Sequence, residues 1–162
     1  MPTLRSLPPC ELSWIAKAPA RIELTTRLKA APEQVFAAFA DAPGWTCWFD
    51  NMTEARWLDG ATGGVGQERE VKIRMLGTFR ERFIAWEPPH RFSFTIVATT
   101  SSMIAQLGED YLLTAEGGGT RLDWTMGSEP AGLGKLGTPL LRLLLKRTMT
   151  RGMEKLDALL AR

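Results

Sequence analysis

Residues 138–160, TPLLRLLLKRTMTRGMEKLDALL, carry the one long helical pattern in the chain. Thr138 followed by Pro139 reads as an N-cap and a first helical residue whose φ is already set. At roughly 100° per residue, Leu141, Leu145, Met149, Gly152, Leu156, Leu159 and Leu160 share one face, with Lys146, Thr150, Glu154 and Asp157 opposite. Such a helix is about 33 Å long, enough to cross a small domain. From Thr148 onward it is amphipathic. Gly152 on the inner face allows close approach, and Met149 and Met153 can fill irregular gaps. A helix with one apolar face needs a surface to lie on.

The preceding residues read as that surface. Residues 21–28 alternate Ile22, Leu24, Thr26 and Leu28 against Arg21, Glu23, Thr25 and Arg27, as a half-buried strand does. Ala31-Pro32 opens a short helix with Val35, Phe36 and Phe39 inside, and a second short turn or helix carries Trp45, Trp48 and Phe49. About six strands follow: residues 52–58, 68–75, 79–86, 92–97, 106–115 and 121–126, joined by short turns, with Gly117-Gly118-Gly119 as a hairpin bend. In residues 68–75, Val71, Ile73 and Met75 face one way and Glu68, Glu70, Lys72 and Arg74 the other. Consecutive strands with one wet face predict an antiparallel meander, and only the long helix is large enough to cover the other face. The expected class is α+β, a curved antiparallel sheet of about seven strands wrapped around the long helix.

A length of 162 residues fits one domain with a sizeable core. A net charge of +2 gives no footprint for nucleic acid. Cys10 and Cys47 fit no metal spacing and build no disulfide framework, which points to a reducing compartment. The first residues lack the apolar core of a signal peptide, and no apolar run reaches the ~20 residues of a membrane span, so a cytoplasmic protein is expected. Residues 1–20, punctuated by Pro2, Pro8, Pro9 and Pro19, read as an extension that is at best partly ordered, laid on the surface by Trp14 and Ile15. Six Trp and seven Phe beside one Tyr and one His suggest a bulky core or an aromatic-lined cavity.

Three local patterns, in order, resemble a known family. LKAAPEQVFAAFAD followed by WTCWF is similar to its opening of strand, Ala-Pro, Val-Phe, Asp and Trp. FIAWEPPHRFSF is similar to its Trp-x-Pro-Pro turn between central strands, and LTAEGGGTRLDWTM to its Gly-Gly-Thr hairpin. On these the chain resembles the START/Bet v 1-like (SRPBCC) superfamily, in particular the polyketide cyclase/dehydrase and lipid-transport group. The resemblance covers residues 21–162 as one ligand-binding domain and leaves 1–20 outside. It implies the helix-grip fold and a cavity between sheet and helix for a hydrophobic small molecule. Known members include carriers, sensors and a few enzymes, so fold alone does not choose an activity.

The residues narrow the chemistry. The one His, His90, sits in a Pro-Pro-His-Arg turn, a poor place to hold a base, and reads as a surface residue. One His and two distant Cys cannot form a zinc site, and the glycine loop at residues 60–66 lacks the Lys-Ser/Thr and helix of a phosphate loop. No metal and no cofactor are expected. Acid–base chemistry would have to come from cavity side chains. Glu81 shares a face with Phe79 and Phe83. In the next-but-one strand either Glu109, Tyr111 and Leu113 or Asp110 and Leu112 point inward, the tyrosine face being favoured. Glu81 and Tyr111 are therefore the catalytic candidates, a carboxylate in an apolar cavity having a raised pKa. Glu81 and Glu109 could equally pair with Arg69, Arg80 or Arg82 across the sheet, and Arg69 or Arg82 could anchor a ligand carboxylate or phenolate.

The expected ligand wall is Trp48, Trp57, Phe83, Phe94, Tyr111 and Trp124, with Leu140, Leu141 and Leu144 from the helix. The first two helical turns, Leu140, Leu141, Leu143, Leu144 and Leu145, are apolar all round, which predicts a movable cavity wall and leaves room for a homodimer contact. Arg142, Lys146, Arg147, Arg151 and Lys155 make the outer helix face basic. A membrane surface or an acidic partner would fit it, but Glu154 and Asp157 interrupt the run, so a solvated face is expected. The functional reading is binding or transport of a lipid-like or polycyclic aromatic molecule. The alternatives are a polyketide cyclase/dehydratase-type enzyme using a cavity carboxylate, and a partner-binding or regulatory domain with a filled core.

Overall fold

Alternating apolar residues become strands throughout the middle of the chain. The computed structural model describes residues 2–135 and 138–162, apart from the Thr138 side chain, so the N-cap expected there lies outside the described residues. The order is β1 (Arg5–Ser6), α1 (Leu12–Ile15), β2 (Ala20–Leu28), α2 (Pro32–Ala40), a 3₁₀ turn (Pro43–Cys47), β3 (Met52–Trp57), β4 (Glu68–Ile73), β5 (Gly77–Glu87), β6 (Arg91–Thr99), β7 (Ile104–Glu116), β8 (Gly119–Pro130), a second 3₁₀ turn (Gly132–Lys135) and α3 (Thr138–Leu160). The strands form one antiparallel sheet in the order β2-β8-β7-β6-β5-β4-β3, with β1 paired to β6. This is the expected meander, with β2 returning to pair with the last strand.

The sheet curves around α3, whose inner face buries Met149, Met153 and Leu156. Each such side chain contributes roughly 1.5–3 kcal/mol by leaving water. Gly152 permits the contact: a Cβ there would lie 3.2 Å from a Phe49 ring carbon. Asp157 adds a polar tie, its carboxylate accepting from the Lys29 amide at 2.7 Å. These anchors all belong to the second half of α3.

Two expectations are corrected. Met75 does not continue the inner face of β4. The strand ends at Ile73, and Met75 sits in the following turn with φ 66° and 98% exposure. The N-terminal segment is packed rather than loosely laid down. Past Thr95, β6 stops pairing with β7 and pairs with β1. The Arg5 guanidinium donates to the carbonyls of Ser101 and Ile104, the Gln106 amide donates to the Pro9 carbonyl at 3.0 Å, and the Cys10 amide donates to Thr95 Oγ1 at 2.8 Å. Leu7 enters the core where β6 and β7 diverge. Behind it, Cys10 and Ile15 lie on the outer sheet face over Gly108 and Gly127, where an added Cβ would meet Cys10 Sγ at 2.5 Å and the Ile15 carbonyl oxygen at 2.6 Å. Ser93 and Thr95 are consequently buried although their alternation points outward.

Candidate functional site

The interior has a filled half and an open half. α2 brings Phe36 and Phe39 against one end of the inner sheet face, where they interlock with Trp45, Trp86, Phe92 and Tyr111. Nothing equivalent covers the other end. There the sheet, the residues after the first 3₁₀ turn and α3 enclose a cavity of about 160 Å³. Phe79, Ile96, Leu107 and Met126 line it from the sheet, Met103 and Ile104 from the start of β7, and Leu141, Leu145 and Met149 from α3. Arg21 and Arg142, both exposed, are at its edge, so it meets solvent beside the first half of α3.

Its floor is polar. Arg69 of β4 and Glu81 of β5 are direct cross-strand partners on the inner face. Arg69 Nε donates to Glu81 Oε2 at 2.6 Å, and the guanidinium carbon lies 4.6 Å from the Trp45 ring centroid, a cation–π geometry. Nη2 is 2.5 Å from the same oxygen, but off the angle of a hydrogen bond, and neither Nη1 nor Nη2 has an acceptor although Arg69 is fully buried. Opposite them, Glu109 of β7 accepts from the Tyr111 hydroxyl at 2.6 Å and from Trp124 Nε1 at 2.9 Å, both on Oε2.

Burial dominates the charges of this cluster. It pushes the Glu81 carboxyl up to about 7; the Arg69 charge opposes the shift and the Glu109 charge adds to it. Glu109 is raised too, by burial, against its bonds from Tyr111 and Trp124. Tyr111 is held well above its ordinary range by burial and by the neighbouring Glu109. It is therefore a fixed hydroxyl donor rather than a base. Glu81 can therefore hold or release a proton near neutrality, inside a mostly apolar chamber.

Of the residues expected at a ligand wall, Phe94, Tyr111, Trp124 and Leu141 line the cavity, as does Glu81. Trp48, Trp57 and Phe83 do not. Trp48 packs with Phe39, Trp45 and Phe49 behind α3. Trp57 donates Nε1 to the Ala40 carbonyl at 3.1 Å and packs on Phe83 and Trp86. Phe83 is enclosed by Trp57, Trp86, Phe92 and Phe94. Trp57 and Phe83 point inward as their alternation requires, and Trp48, which follows the first 3₁₀ turn, also points inward, but none of the three borders the open half. Leu140 and Leu144 face solvent, 65% and 49% exposed. Arg82 pairs with Glu68 on the outer face, and His90 is exposed. Among the described residues no three His, Cys, Asp or Glu side chains converge as metal ligands would.

Trp45, Phe79, Ile96, Leu107 and Met126 line the cavity although they are not among the residues expected at the ligand wall. The signal for the sheet residues was present: Phe79 shares the parity of Phe83, and Ile96 that of Phe94. Arg69 shares the parity of Val71 and Ile73, an unpaired-looking charge in a buried register.

Known proteins place the chain. The family described as polyketide cyclase/dehydrase and lipid transport matches residues 19–161. An uncharacterized protein of Mycobacterium tuberculosis is 34% identical over 157 residues, covering 93% of this chain and 94% of the relative. Among solved structures, the Zhui aromatase/cyclase from a Streptomyces species superimposes with a TM-score of 0.71 at 15% identity, covering 88% of this chain and 93% of that one. Ara h 8.0201 superimposes with a TM-score of 0.68 at 13% identity, covering 87% and 97%. At these identities the two structures establish the helix-grip, Bet v 1-like fold. With its curved sheet, long C-terminal helix and matching sequence, the chain belongs to the polyketide cyclase/dehydrase and lipid transport family.

Proposed function

We propose that the protein binds a largely apolar small molecule in this cavity, with a hydrogen-bond acceptor of the ligand directed at Arg69. The supporting observation is the buried guanidinium of the cavity-lining Arg69, whose Nη1 has no acceptor and whose Nη2 meets only the Glu81 oxygen that Nε already holds. A fully buried donor without a partner is costly, and a carbonyl or phenolate oxygen would relieve it. Volume limits the ligand. About 160 Å³ is close to the size of an engineered cavity that holds one benzene. A ligand larger than two fused rings, or a long chain, requires the first turns of α3, which lack the anchors of the second half, to move outward.

The test is a titration with 2-naphthol and with naphthalene. Wild type should prefer the phenol. Arg69→Met combined with Glu81→Leu, which removes both charges together, should abolish the preference while the hydrocarbon still binds. Saturable binding of neither compound, together with no small molecule retained in native mass spectrometry, would count against the reading.

A second reading is supported by the pKa of Glu81. A carboxyl poised near 7 beside Arg69 could take a proton from the carbon next to a ligand carbonyl, with Arg69 stabilising the enolate oxygen. The same proton, returned to a β-hydroxyl, would leave as water in a dehydration. Loss of turnover in Glu81→Gln with binding retained would favour this enzyme over a carrier.

A further inference from the structure

We infer that the outer face of α3 docks the protein onto an anionic phospholipid surface, beside the mouth of the cavity. Leu140, Leu143, Leu144, Arg147 and Arg151 fall at spacings i, i+3, i+4, i+7 and i+11, so they form one stripe. All five are exposed, and the three leucines are 65%, 46% and 49% exposed. Leu133, in the turn before the helix, is 77% exposed. The three helix leucines form an apolar cluster on the same helical turns as Arg142, which lies at the edge of the cavity. Isolated exposed leucines need no explanation; a contiguous group with a basic rim does.

Charge selects the occupant. Arg142, Lys146, Arg147 and Arg151 precede the first acid of the helix, Glu154. None of the four forms an ion pair with the described residues, unlike Lys155, which pairs with Asp50. A second copy of the chain fits poorly. A two-fold packing sets Arg147 and Arg151 against either their own copies or Leu140 and Leu144. A convex ridge of leucines continued by arginines instead suits a bilayer interface, where acyl chains accept the leucines and phosphates accept the guanidinium groups. The placement also has chemical sense, since a molecule that partitions into lipid would enter the cavity without crossing water. The surface is a separate claim from small-molecule binding, and it is read on unliganded protein.

Co-sedimentation with vesicles of phosphatidylcholine plus phosphatidylglycerol, against phosphatidylcholine alone, tests it. The protein should partition onto the anionic vesicles and be released by salt. Arg147→Gln with Arg151→Gln should weaken partition roughly 25-fold, at about fivefold per charge. Leu140→Ser with Leu144→Ser should weaken it by about tenfold or more. Because these side chains face solvent, the thermal midpoint and 2-naphthol binding of each variant should match wild type. Equal partition of both variants and wild type overturns the proposal, as does binding that ignores lipid charge. A concentration-dependent dimer lost in the leucine variant, with no vesicle partition, overturns it in favour of a second copy. Retention by an acidic protein without vesicle partition overturns it in favour of that partner.

Discussion

Arg69 and Glu81 face each other from adjacent strands, joined by a 2.6 Å bond from Nε to Oε2, with no water-exposed surface on the arginine. The two partners of this pair are not equivalent. The carboxyl can take a proton when its environment disfavours charge, and the guanidinium cannot give one up.

That asymmetry predicts the order of stability losses. Glu81→Leu strands a permanent charge and should cost about 3 kcal/mol or more. Arg69→Met should cost less in mildly acidic solution, because Glu81 neutralises. Glu81→Gln, a mimic of the protonated acid, should stay within about 1 kcal/mol there. The double variant Arg69→Met/Glu81→Leu should be near wild type or above it. Urea unfolding of the four proteins measures all of this, and an Arg69→Met loss larger than that of Glu81→Leu would contradict it.

The raised Glu81 pKa also gives a pH slope with a definite sign. The folded state binds this proton up to about 7, the unfolded state only up to about 4.5. Between these values the folded form carries more protons, so stability from this group is fully present below about 4.5 and falls as pH rises to about 7. The full difference is on the order of 3 kcal/mol. Glu109, raised in the same direction, adds to the slope. The stability difference between wild type and Glu81→Gln should therefore shrink or turn against wild type between about pH 5 and pH 8. A difference that grows over this range would mean that the ion pair, rather than burial, controls Glu81.

Cavity occupancy should be governed by α3 residues that point in, not by those nearest the mouth in sequence. Leu145→Trp, filling the chamber, should reduce naphthalene binding by at least about tenfold. Leu144→Ser should leave it unchanged and alter stability by less than about 0.5 kcal/mol. Calorimetric titration of both variants decides the point.

The N-terminal arm should be structural. Gly127→Ala puts a methyl group against the Ile15 backbone and should destabilise by about 1–3 kcal/mol. Leu7→Ala should cost about 2 kcal/mol or more and admit solvent between β6 and β7. Amide hydrogen exchange should show the loss of protection at residues 96–99 and 104–107. Unaltered exchange there would argue that the arm does not close the sheet.

Much of the fold is legible in local pattern because strand alternation and helical spacing are local properties. Phe83 and Phe94 on β5 and β6, and Met149, Met153 and Leu156 on α3, point inward as their spacing demands. Alternation also places Arg69, Glu81 and Tyr111 on the inner face. It says nothing about what lies above that face. Trp57 and Phe83 obey the same rule as Phe94 and Trp124, yet Trp57 packs at the end of α2 and Phe83 among Trp57, Trp86, Phe92 and Phe94, while Phe94 and Trp124 lie beside a void.

The sequence by itself determined which strand residues face inward, the order of the meander and the helix that the sheet must grip, since each follows from contacts between near neighbours in the chain. Only the tertiary structure decided which half of the interior stays open, that Leu140 and Leu144 turn to solvent while Leu141 and Leu145 enclose the cavity, and that residues 5–15 seal the split between β6 and β7. These depend on where α2, α3 and the N-terminal arm come to rest against strands up to a hundred residues away, and no short-range pattern encodes that distance.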